Sequence, residues 1–275
     1  MNNTDLTIVI TTFRSEKKIF TCLDSIESNT KIIVIENSNN INFQKNLENK
    51  YKNLKCFLTG NNHGYAKGNN IGLSKVETKY ALVLNPDTVI EKKSLENFFI
   101  TAKKYPEFSL IGPAYENNVT EKKIEGDIIE VENLKGFAIF INMQKFKDKS
   151  FFDENYFLYF EDIDLCKKVK KDNGTIFLDS SIKIKHLGAE SVDLTPRIEI
   201  EKNRNWHWMW STFYFHKKHY NFAYALLIIT PKFLSSLFKL LLYTIVLNKK
   251  KTIYLFRLKG IINGVVGRNS WYRPS

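Results

Sequence analysis

The strongest constraint on the fold is the alternation of short apolar runs with amphipathic segments between Leu6 and Gly112. The runs are rich in Ile, Val and Leu and have the length of strands buried on both faces of a parallel sheet. Segments with helical periodicity, such as Ser15–Ser28, separate them. This order predicts an open α/β sheet with right-handed crossovers. The predicted strands are Leu6–Thr12, Lys31–Ile35, Leu54–Leu58, Tyr80–Leu84 and Phe108–Gly112.

Polar residues stand at the carboxyl ends of four of these strands. In open α/β sheets, ligands bind beyond those ends. Each polar end by itself is typical of an ordinary turn. Because parallel strands bring all four ends to the same edge, together they indicate a binding site. The four ends are Thr11–Thr12, Glu36–Asn37, Asn61–Gly64 and Asn85–Asp87.

The pattern changes after the fifth predicted strand. Lys122–Asn142 contains extended stretches with no helical segment between them, including Gly136–Ile141. This predicts a mixed or antiparallel extension of the sheet. Gly136 is interpreted as the start of a strand or as a bulge, and it is not counted among the candidate catalytic residues named below.

Three acids stand at the head of the helix predicted within Phe151–Gly174. Glu161, Asp162 and Asp164 directly follow a run of aromatic residues. A helix N-terminus favours acids, so helix capping is one interpretation. The other is catalytic, because aromatic walls that exclude water raise the proton affinity of a carboxylate and suit it to act as a general base. The residues alone leave both interpretations open.

The positive charge is concentrated in the last part of the chain. The net charge is +12, and the 14 lysines and arginines from Arg197 onward are accompanied by two acids, Glu199 and Glu201. The preceding residues are therefore neutral overall. This partition predicts an anionic surface as a partner. The basic residues are interleaved with Leu and Phe, which favours lipid over nucleic acid.

A long apolar segment, Phe222–Leu247, lies within this basic tail and is interrupted by Pro231, Lys232 and Lys239. We expect two short amphipathic helices lying in a membrane interface rather than one spanning helix. A helical interface between two copies of the chain is the alternative. The three cysteines are far apart and form no CxxC pair, and no signal peptide is recognised, so we expect a cytoplasmic protein with reduced thiols.

Six motifs in a fixed order carry a family resemblance. They are TIVITTF…SEKKIFTCLDSI, IVIENS, NNHGYAKGNNIGL, YALVLNPDT, FFDENYFLYFEDIDLCKKV and KHLGAES. Together they resemble the glycosyltransferase family 2 enzymes with a GT-A fold, most closely the bacterial rhamnosyltransferase-like branch. The resemblance spans roughly residues 5 to 220. It implies a GT-A domain over residues 1–219 and a basic, apolar helical tail over residues 220–275.

The resemblance implies an inverting transferase that moves a sugar from a nucleoside diphosphate to a hydroxyl group. Asp162 matches the family's catalytic base, and Glu161 would bind the acceptor or orient the site. Asn85-Pro86-Asp87 matches the acidic metal motif, although its first acid is Asn here. Asp87 would bind Mg²⁺ or Mn²⁺ and the diphosphate, and His186 would ligate the metal. A Pro-Asp turn and a structural histidine are the alternatives for these two residues.

The resemblance also implies a donor site. Thr12 and Glu36 match positions that contact the nucleobase and ribose, with Glu36 where the family usually has Asp. Gly64 would let the backbone approach the ligand closely and Lys67 would contact a phosphate. A glycine-rich turn and a solvated lysine are the alternatives. The predicted donor-binding residues are Thr12, Glu36, Asn62, Gly64, Lys67, Asn70, Asn85 and Asp87.

The expected donor is a nucleotide sugar, with dTDP-rhamnose as the leading choice, and the expected acceptor is a cell-surface glycan on a lipid carrier. The tail would hold the protein at the inner face of the cytoplasmic membrane. A nucleotidyltransferase is an alternative enzyme, but Thr11–Glu16 lacks the glycine-rich, arginine-containing loop that it needs. A non-catalytic glycosyltransferase-like subunit is the other alternative, and the intact Glu161-Asp162 pair argues against it.

Overall fold

The computed structural model describes residues 5–91, 93–114, 128–146, 148, 150–187 and 197–273. The chain divides into two compact units. One unit takes in residues 1–153 and 162–193, and the other takes in residues 154–161 and 194–275. Residues 122–127 of the predicted sheet extension and the end of the last motif, after Leu187, lie outside the described residues.

The first unit is built on an eight-stranded mixed sheet with the order β3-β2-β1-β4-β8-β6-β9-β7. A separate ribbon pairs β5 with β10. Its helices are α1 (Lys18–Asp24), α2 (Ile41–Lys50), α3 (Gly64–Leu73), α4 (Ser94–Lys104) and α5 (Glu161–Lys171). Its strands are β1 (Leu6–Thr12), β2 (Lys31–Glu36), β3 (Leu54–Leu58), β4 (Tyr80–Leu84), β5 (Thr88–Ile90), β6 (Phe108–Pro113), β7 (Ile128–Glu130), β8 (Ala138–Asn142), β9 (Thr175–Asp179) and β10 (Ile184–His186).

The strand directions confirm the predicted α/β sheet and its antiparallel extension. β1 is parallel to both β2 and β4, and β2 is parallel to β3. β8 is antiparallel to β4 and to β6, and β7 is antiparallel to β9. Every residue of β1 and β4 is buried, as expected for central strands with helices on both faces. The mixed sheet places the start of β8 beside the end of β4.

Aromatic side chains hold the centre of the sheet against α4. The ring of Phe140 on β8 stacks on Phe98 at a centroid distance of 4.9 Å and on Tyr80 at 5.1 Å. Phe108 on β6 stacks on the same Phe140 ring. Burial of a large aromatic ring stabilises the folded state by about 2–3 kcal/mol, so this cluster anchors β8 next to β4.

The second unit contains three helices that pack on one another: α6 (Arg197–His219), α7 (Phe222–Ile245) and α8 (Lys251–Val265). The structure therefore groups α6 with the tail, whereas the sequence predicted a boundary at residue 220. Met209 and Phe213 of α6 share a buried cluster with Ala225 and Ile229 of α7 and Ile261 of α8. This shared apolar cluster is the physical reason for the grouping.

α7 is one continuous helix of 24 residues, so the expectation of two short helices is wrong. Pro231 lies inside it. A proline removes one helical hydrogen bond, here the one to the carbonyl of Leu227, and costs about 3 kcal/mol in a helix interior. Ile229 and Ser236, on either side of Pro231, are both buried against the neighbouring helices. This packing keeps the two halves in one helix.

Candidate active site

The ends of several strands meet at one edge of the sheet in the first unit. Thr12 at the end of β1 pairs with Glu36 at the end of β2. Leu84, the last residue of β4, pairs with Ala138, the first residue of β8. The backbone N–H of Asn85 donates to the carbonyl of Phe137 at 2.9 Å. The residues after β4 and before β8 are therefore direct neighbours.

Asp162 lies against Gly136, which comes two residues before β8 begins. The N–H of Gly136 donates to Asp162 Oδ2 at 2.9 Å, and the N–H of Ile163 donates to Oδ1 at 2.9 Å. A Cβ atom on Gly136 would lie 3.2 Å from Asp162 Oδ2, which is tighter than an ordinary contact. Glycine is therefore what allows this carboxyl group to lie against the strand. This role of Gly136 was not predicted from the sequence. The only signal for it there is a glycine directly before an apolar strand.

The surroundings of Asp162 favour proton uptake. Burial of the carboxyl group raises its pKa, while the two backbone N–H donors and Lys135 act in the opposite direction. The residue as a whole remains partly exposed. Each carboxylate oxygen has two lone pairs, so one N–H donor on each leaves room for a substrate hydroxyl. A fixed carboxylate with a raised pKa is suited to act as a general base.

Asp87 and His186 are brought together by the β5–β10 ribbon. Asp87 is 3% exposed, and its Oδ1 lies 3.2 Å from His186 Nε2. The ribbon pairs His186 with Thr88, and the N–H of Leu187 donates to the carbonyl of Asp87 at 2.9 Å. The sequence analysis had identified no strand directly after Asp87, where the structure has β5. The ribbon matters because it aligns two residues that are far apart in the chain.

A continuous series of contacts joins the two carboxyl groups along this edge. The imidazole of His186 stacks on the ring of Phe137 at a centroid distance of 5.3 Å. Phe137 follows Gly136, which holds Asp162. The two carboxyl groups therefore belong to the same edge of the sheet. The series runs Asp162, Gly136, Phe137, His186, Asp87.

Asp87 Oδ1 and His186 Nε2, at 3.2 Å, are close enough for both atoms to bind one metal ion, and they are equally close enough to contact each other directly. Asp87 Oδ1 is buried, and besides this contact with His186 it has no hydrogen-bond partner within the described part of the chain. The described residues contain no group of three or more His, Cys, Asp or Glu side chains that could hold a metal.

The ends of β1 and β2 carry buried acceptors. Glu36 is 1% exposed, and its Oε1 accepts a hydrogen bond from Ser38 Oγ at 2.6 Å. Glu36 Oε2 and Thr12 Oγ1 are buried, and neither has a hydrogen-bond partner among the residues that the structure describes. A buried polar atom without a partner costs about 1–3 kcal/mol. A ligand that supplies donors here would remove that cost.

The pKa of Glu36 is raised to about 7, chiefly because the carboxyl group is buried and also because the carboxylate of Glu16 lies nearby. The hydrogen bond from Ser38 and the backbone N–H of Arg14 lower it. Glu16 Oε2 is also buried, with no partner in the described ranges. The sequence analysis did not single out Glu16. The available signal was an acid four residues after Thr12, in the connection between β1 and α1.

The turn after β3 and the first turn of α3 contain three more of the predicted donor-binding residues. Asn62 Oδ1 accepts from the N–H of Gly64 at 3.0 Å, and the carbonyl of Gly64 accepts from Asn37 Nδ2 at 2.9 Å. Gly64 has a φ of +83°, which strongly favours glycine. Lys67 is half-buried in the first turn of α3. These contacts show how the turn is held, and ligand binding by it stays a prediction.

Asn70 and Asn85 differ in how their side chains are used. Asn70 Nδ2 donates to the carbonyl of Phe152 at 2.8 Å, and its Oδ1 accepts from the N–H of Phe152 at 3.0 Å. Asn70 therefore ties α3 to the segment that leads toward α5, and its predicted contact with a donor remains a prediction. Asn85 lies two residues before Asp87. Its Oδ1 is buried and has no hydrogen-bond partner in the described structure.

The residues before α5 have a strained backbone. Tyr159 and Phe160, assigned to the second unit, both have a φ of +71°. Bulky side chains rarely adopt this conformation, which costs about 1–3 kcal/mol per residue and is found often at functional sites. Their rings contact Trp208 of α6. Glu161 follows as the buried first residue of α5, and its catalytic role stays a prediction.

Comparison with known sequences identifies relatives of this chain. The profile of the family described as Glycosyl transferase family 2 matches residues 7–166. The low-salt glycan biosynthesis hexosyltransferase Agl10 of Haloferax volcanii is 25% identical over a 195-residue alignment, and the match covers 62% of this chain and 62% of that protein. The chain thus spans less than two thirds of the archaeal protein. The rhamnosyltransferase WbbL of Escherichia coli is 25% identical over a 191-residue alignment, and the match covers 56% of this chain and 71% of that protein.

Solved structures show the same fold at low sequence identity. The S. aureus TarS fragment 1–349 in complex with UDP has a TM-score of 0.57 and 15% identity, over 98% of this chain and 93% of that one. GalNAc-T7 with UDP, GalNAc and Mn²⁺ has a TM-score of 0.59 and 10% identity, over 82% of this chain and 54% of that one. At such identities the likeness concerns the fold alone.

Proposed function

This chain belongs to glycosyltransferase family 2, and from that premise we propose that it transfers a sugar from a nucleoside diphosphate to an acceptor hydroxyl with inversion. The glycosyltransferase activity, the donor, the acceptor and the site residues all belong to the proposal. The observation that carries the proposal is the series of contacts that joins Asp162 to Asp87 along one edge of the sheet. It puts a candidate base and a candidate diphosphate site on the same edge.

Asp162 is the proposed general base. Its carboxylate takes the proton of the acceptor hydroxyl as the acceptor oxygen forms a bond to the anomeric carbon of the sugar. The bond from that carbon to the diphosphate oxygen breaks, and the electron pair leaves with the diphosphate. Attack opposite the departing group inverts the anomeric configuration. The hydrogen bonds from Gly136 and Ile163 orient the carboxylate, and its raised pKa supports proton uptake.

The leaving diphosphate needs a positive charge beside it. Asp87 is itself an acid, and two anions in a buried site repel each other unless a cation lies between them. Asp87 and His186 would hold Mg²⁺ or Mn²⁺, which offsets the charge of the leaving group when bound. The spacing of the two side chains supports this assignment. The Mn²⁺ in the GalNAc-T7 structure makes a divalent metal the first to test.

The nucleoside would lie over the ends of β1 and β2. The buried acceptors of Thr12 and Glu36 would take hydrogen bonds from base N–H groups or ribose hydroxyls. Lys67 would contact a phosphate, with Asn62 and Gly64 shaping the turn and Asn70 and Asn85 contributing to the donor site. The rhamnosyltransferase among the relatives makes dTDP-rhamnose the first donor to test.

We also propose that the protein is peripheral at the inner face of the cytoplasmic membrane, acting on a glycan or lipid-linked glycan. α7 has the length and composition to cross a membrane, and only 17% of its most apolar window is buried. The excess of basic residues after Arg197 suits an anionic surface. A homodimer formed through the same helices is the alternative partner for them.

Two measurements test the catalytic proposal. A thermal-shift panel of nucleotide sugars with and without Mn²⁺ identifies the donor, since a ligand that binds the folded state raises its melting temperature. Sugar transfer by Asp162→Asn should then fall at least about 100-fold, because the amide accepts no proton from the hydroxyl. The matched control is Asp172→Asn, the same chemical change at an exposed residue just after α5, which should keep full activity. Near-normal turnover by Asp162→Asn would remove Asp162 from the mechanism.

A further inference from the structure

α7 presents one row of large apolar side chains to solvent. Consecutive side chains of this row are 7, 4, 3 and 4 residues apart in the sequence, a spacing that places all of them on a single face of the helix. Residues of the opposite face, Ala225, Ile229 and Ser236, are buried within the second unit. We refer to the exposed set as the α7 row. It consists of Leu227 (69% exposed), Leu234 (58%), Phe238 (66%), Leu241 (57%) and Ile245 (79%).

α8 accompanies α7 along most of its length. Near the end of α7, the ring of Tyr243 stacks on Tyr254 at a centroid distance of 5.4 Å. In the middle, Arg257 Nε donates to Ser236 Oγ at 3.3 Å. Toward the start of α7, Ile229 shares a buried cluster with residues of α8 and α6. The two helices are therefore antiparallel neighbours, and α7 cannot be oriented separately from α8.

This packing argues against a spanning orientation of α7. If α7 crossed a bilayer, α8 would be carried into the hydrocarbon with it. α8 holds Lys251, Arg257 and Lys259, and charged side chains at the centre of a bilayer are strongly unfavourable. Lys239 on α7, with its ammonium 5.5 Å from the ring of Tyr254, would enter the hydrocarbon too. An orientation in the plane of the membrane avoids all of these costs.

The positive charge of the tail favours an anionic bilayer over a second copy of the chain as the partner that covers the α7 row. The sequence has no acid after Glu201, whereas Lys232, Lys239 and Lys249–Lys251 lie within or directly after α7. A second copy of the chain would bring the same positive charge to the interface, and like charges disfavour that contact. An anionic bilayer offers hydrocarbon for the apolar row and phosphate groups for the lysines.

We propose that α7 lies parallel to an anionic membrane, with the α7 row immersed among the acyl chains and the lysines at the headgroups. The proposal deepens the membrane location proposed above and does not depend on sugar transfer. It specifies the surface that makes the contact and the orientation of the helix. It commits to lipid as the occupant of the row.

The first test is sedimentation of the full chain with vesicles of phosphatidylcholine, with and without phosphatidylglycerol. The wild-type protein should bind the anionic vesicles and be released by high salt. Leu234→Gln with Phe238→Gln should weaken binding about tenfold or more, since two apolar side chains no longer enter the bilayer. The matched control is Ile41→Gln with Ile100→Gln, which alters two exposed apolar residues of the first unit and should bind like wild type. Equal binding by both double variants would overturn the proposal.

The second test measures depth along the helix. Cys22, Cys56 and Cys166 are buried, so a single introduced cysteine can be labelled with an environment-sensitive fluorophore. Labels placed by Leu227→Cys, Leu234→Cys, Leu241→Cys and Ile245→Cys should all shift to the blue on vesicle binding and report similar depths. A depth that peaks at residue 234 and falls toward both ends would show spanning and overturn the in-plane orientation. If no label shifts on addition of vesicles, lipid is not the occupant of the α7 row. The same conclusion follows if the protein does not bind vesicles but associates with itself, and if Leu234→Gln with Phe238→Gln abolishes that self-association.

Discussion

The sheet edge of the first unit and the α7 row of the second unit are opposites in chemistry. At the sheet edge, polar atoms such as Glu36 Oε2 and Thr12 Oγ1 are buried and lack hydrogen-bond partners in the described structure. In the α7 row, apolar side chains such as Phe238 and Ile245 face water. Each arrangement costs free energy that folding alone does not recover. This difference supports the two proposals made above, a small polar ligand at the sheet edge and an apolar surface at the α7 row.

The largest expected effect tests whether the sheet edge binds a metal and a diphosphate. Asp87→Asn should lower sugar transfer about 100-fold or more, because the neutral amide is a weak metal ligand. It should also abolish the rise in melting temperature that Mn²⁺ adds to a nucleoside diphosphate. Asp148→Asn, at an exposed position of the same unit, is the control. An Asp87→Asn enzyme that keeps the Mn²⁺-dependent rise would place the metal elsewhere.

The next effect tests the buried acid at the nucleoside end. The pKa of Glu36 is about 7 in the folded protein and 4.5 in an unfolded chain, so the folded state binds the extra proton between these values. Stability is then lost as pH rises from 4.5 to 7, by up to about 3 kcal/mol. Without ligand, Glu36→Gln should be more stable than wild type at pH 8 and should lose this advantage by pH 5. Denaturant unfolding at both pH values measures the difference, and a pH-independent difference would contradict the assignment.

A smaller effect tests the contact between Gly136 and Asp162. Gly136→Ala keeps the backbone N–H but places a methyl group 3.2 Å from the carboxyl oxygen. We expect kcat to fall about tenfold because the base is displaced, with little change in the donor KM. The split between kcat and KM separates this role from a loss of folding, which thermal unfolding checks directly. An unchanged kcat would show that the position of Asp162 does not depend on this glycine.

The smallest effect sharpens the contrast between the two regions. Leu234→Gln with Phe238→Gln should change the free energy of unfolding by less than about 0.5 kcal/mol, because both side chains are exposed in the folded protein. The same pair should change vesicle binding markedly. Denaturant unfolding without lipid makes the measurement. A loss of several kcal/mol would mean that these side chains pack within the protein, and that the α7 row is part of its core.

Local patterns in the sequence were sufficient for strands β1 to β4 and for the edge that carries the candidate site. In β1 and β4 the apolar residues follow one another in the sequence, and polar residues come directly after them. A pattern of this kind within a few consecutive residues predicts a buried strand and its end. The continuity of α7 was not predictable in this way. Pro231 favours a break by itself, and only burial of Ile229 and Ser236 against other helices keeps the helix whole.

The sequence by itself determined the α/β alternation, the order of the family's motifs and the concentration of positive charge after Arg197, because each of these is a property of neighbouring residues. Tertiary structure alone decided that Gly136 holds Asp162, that the ribbon aligns His186 with Asp87, and that Glu16 raises the pKa of Glu36. These contacts join residues that strand pairing and chain crossovers bring together. Their strength depends on burial, which every packed element contributes to and no single segment encodes.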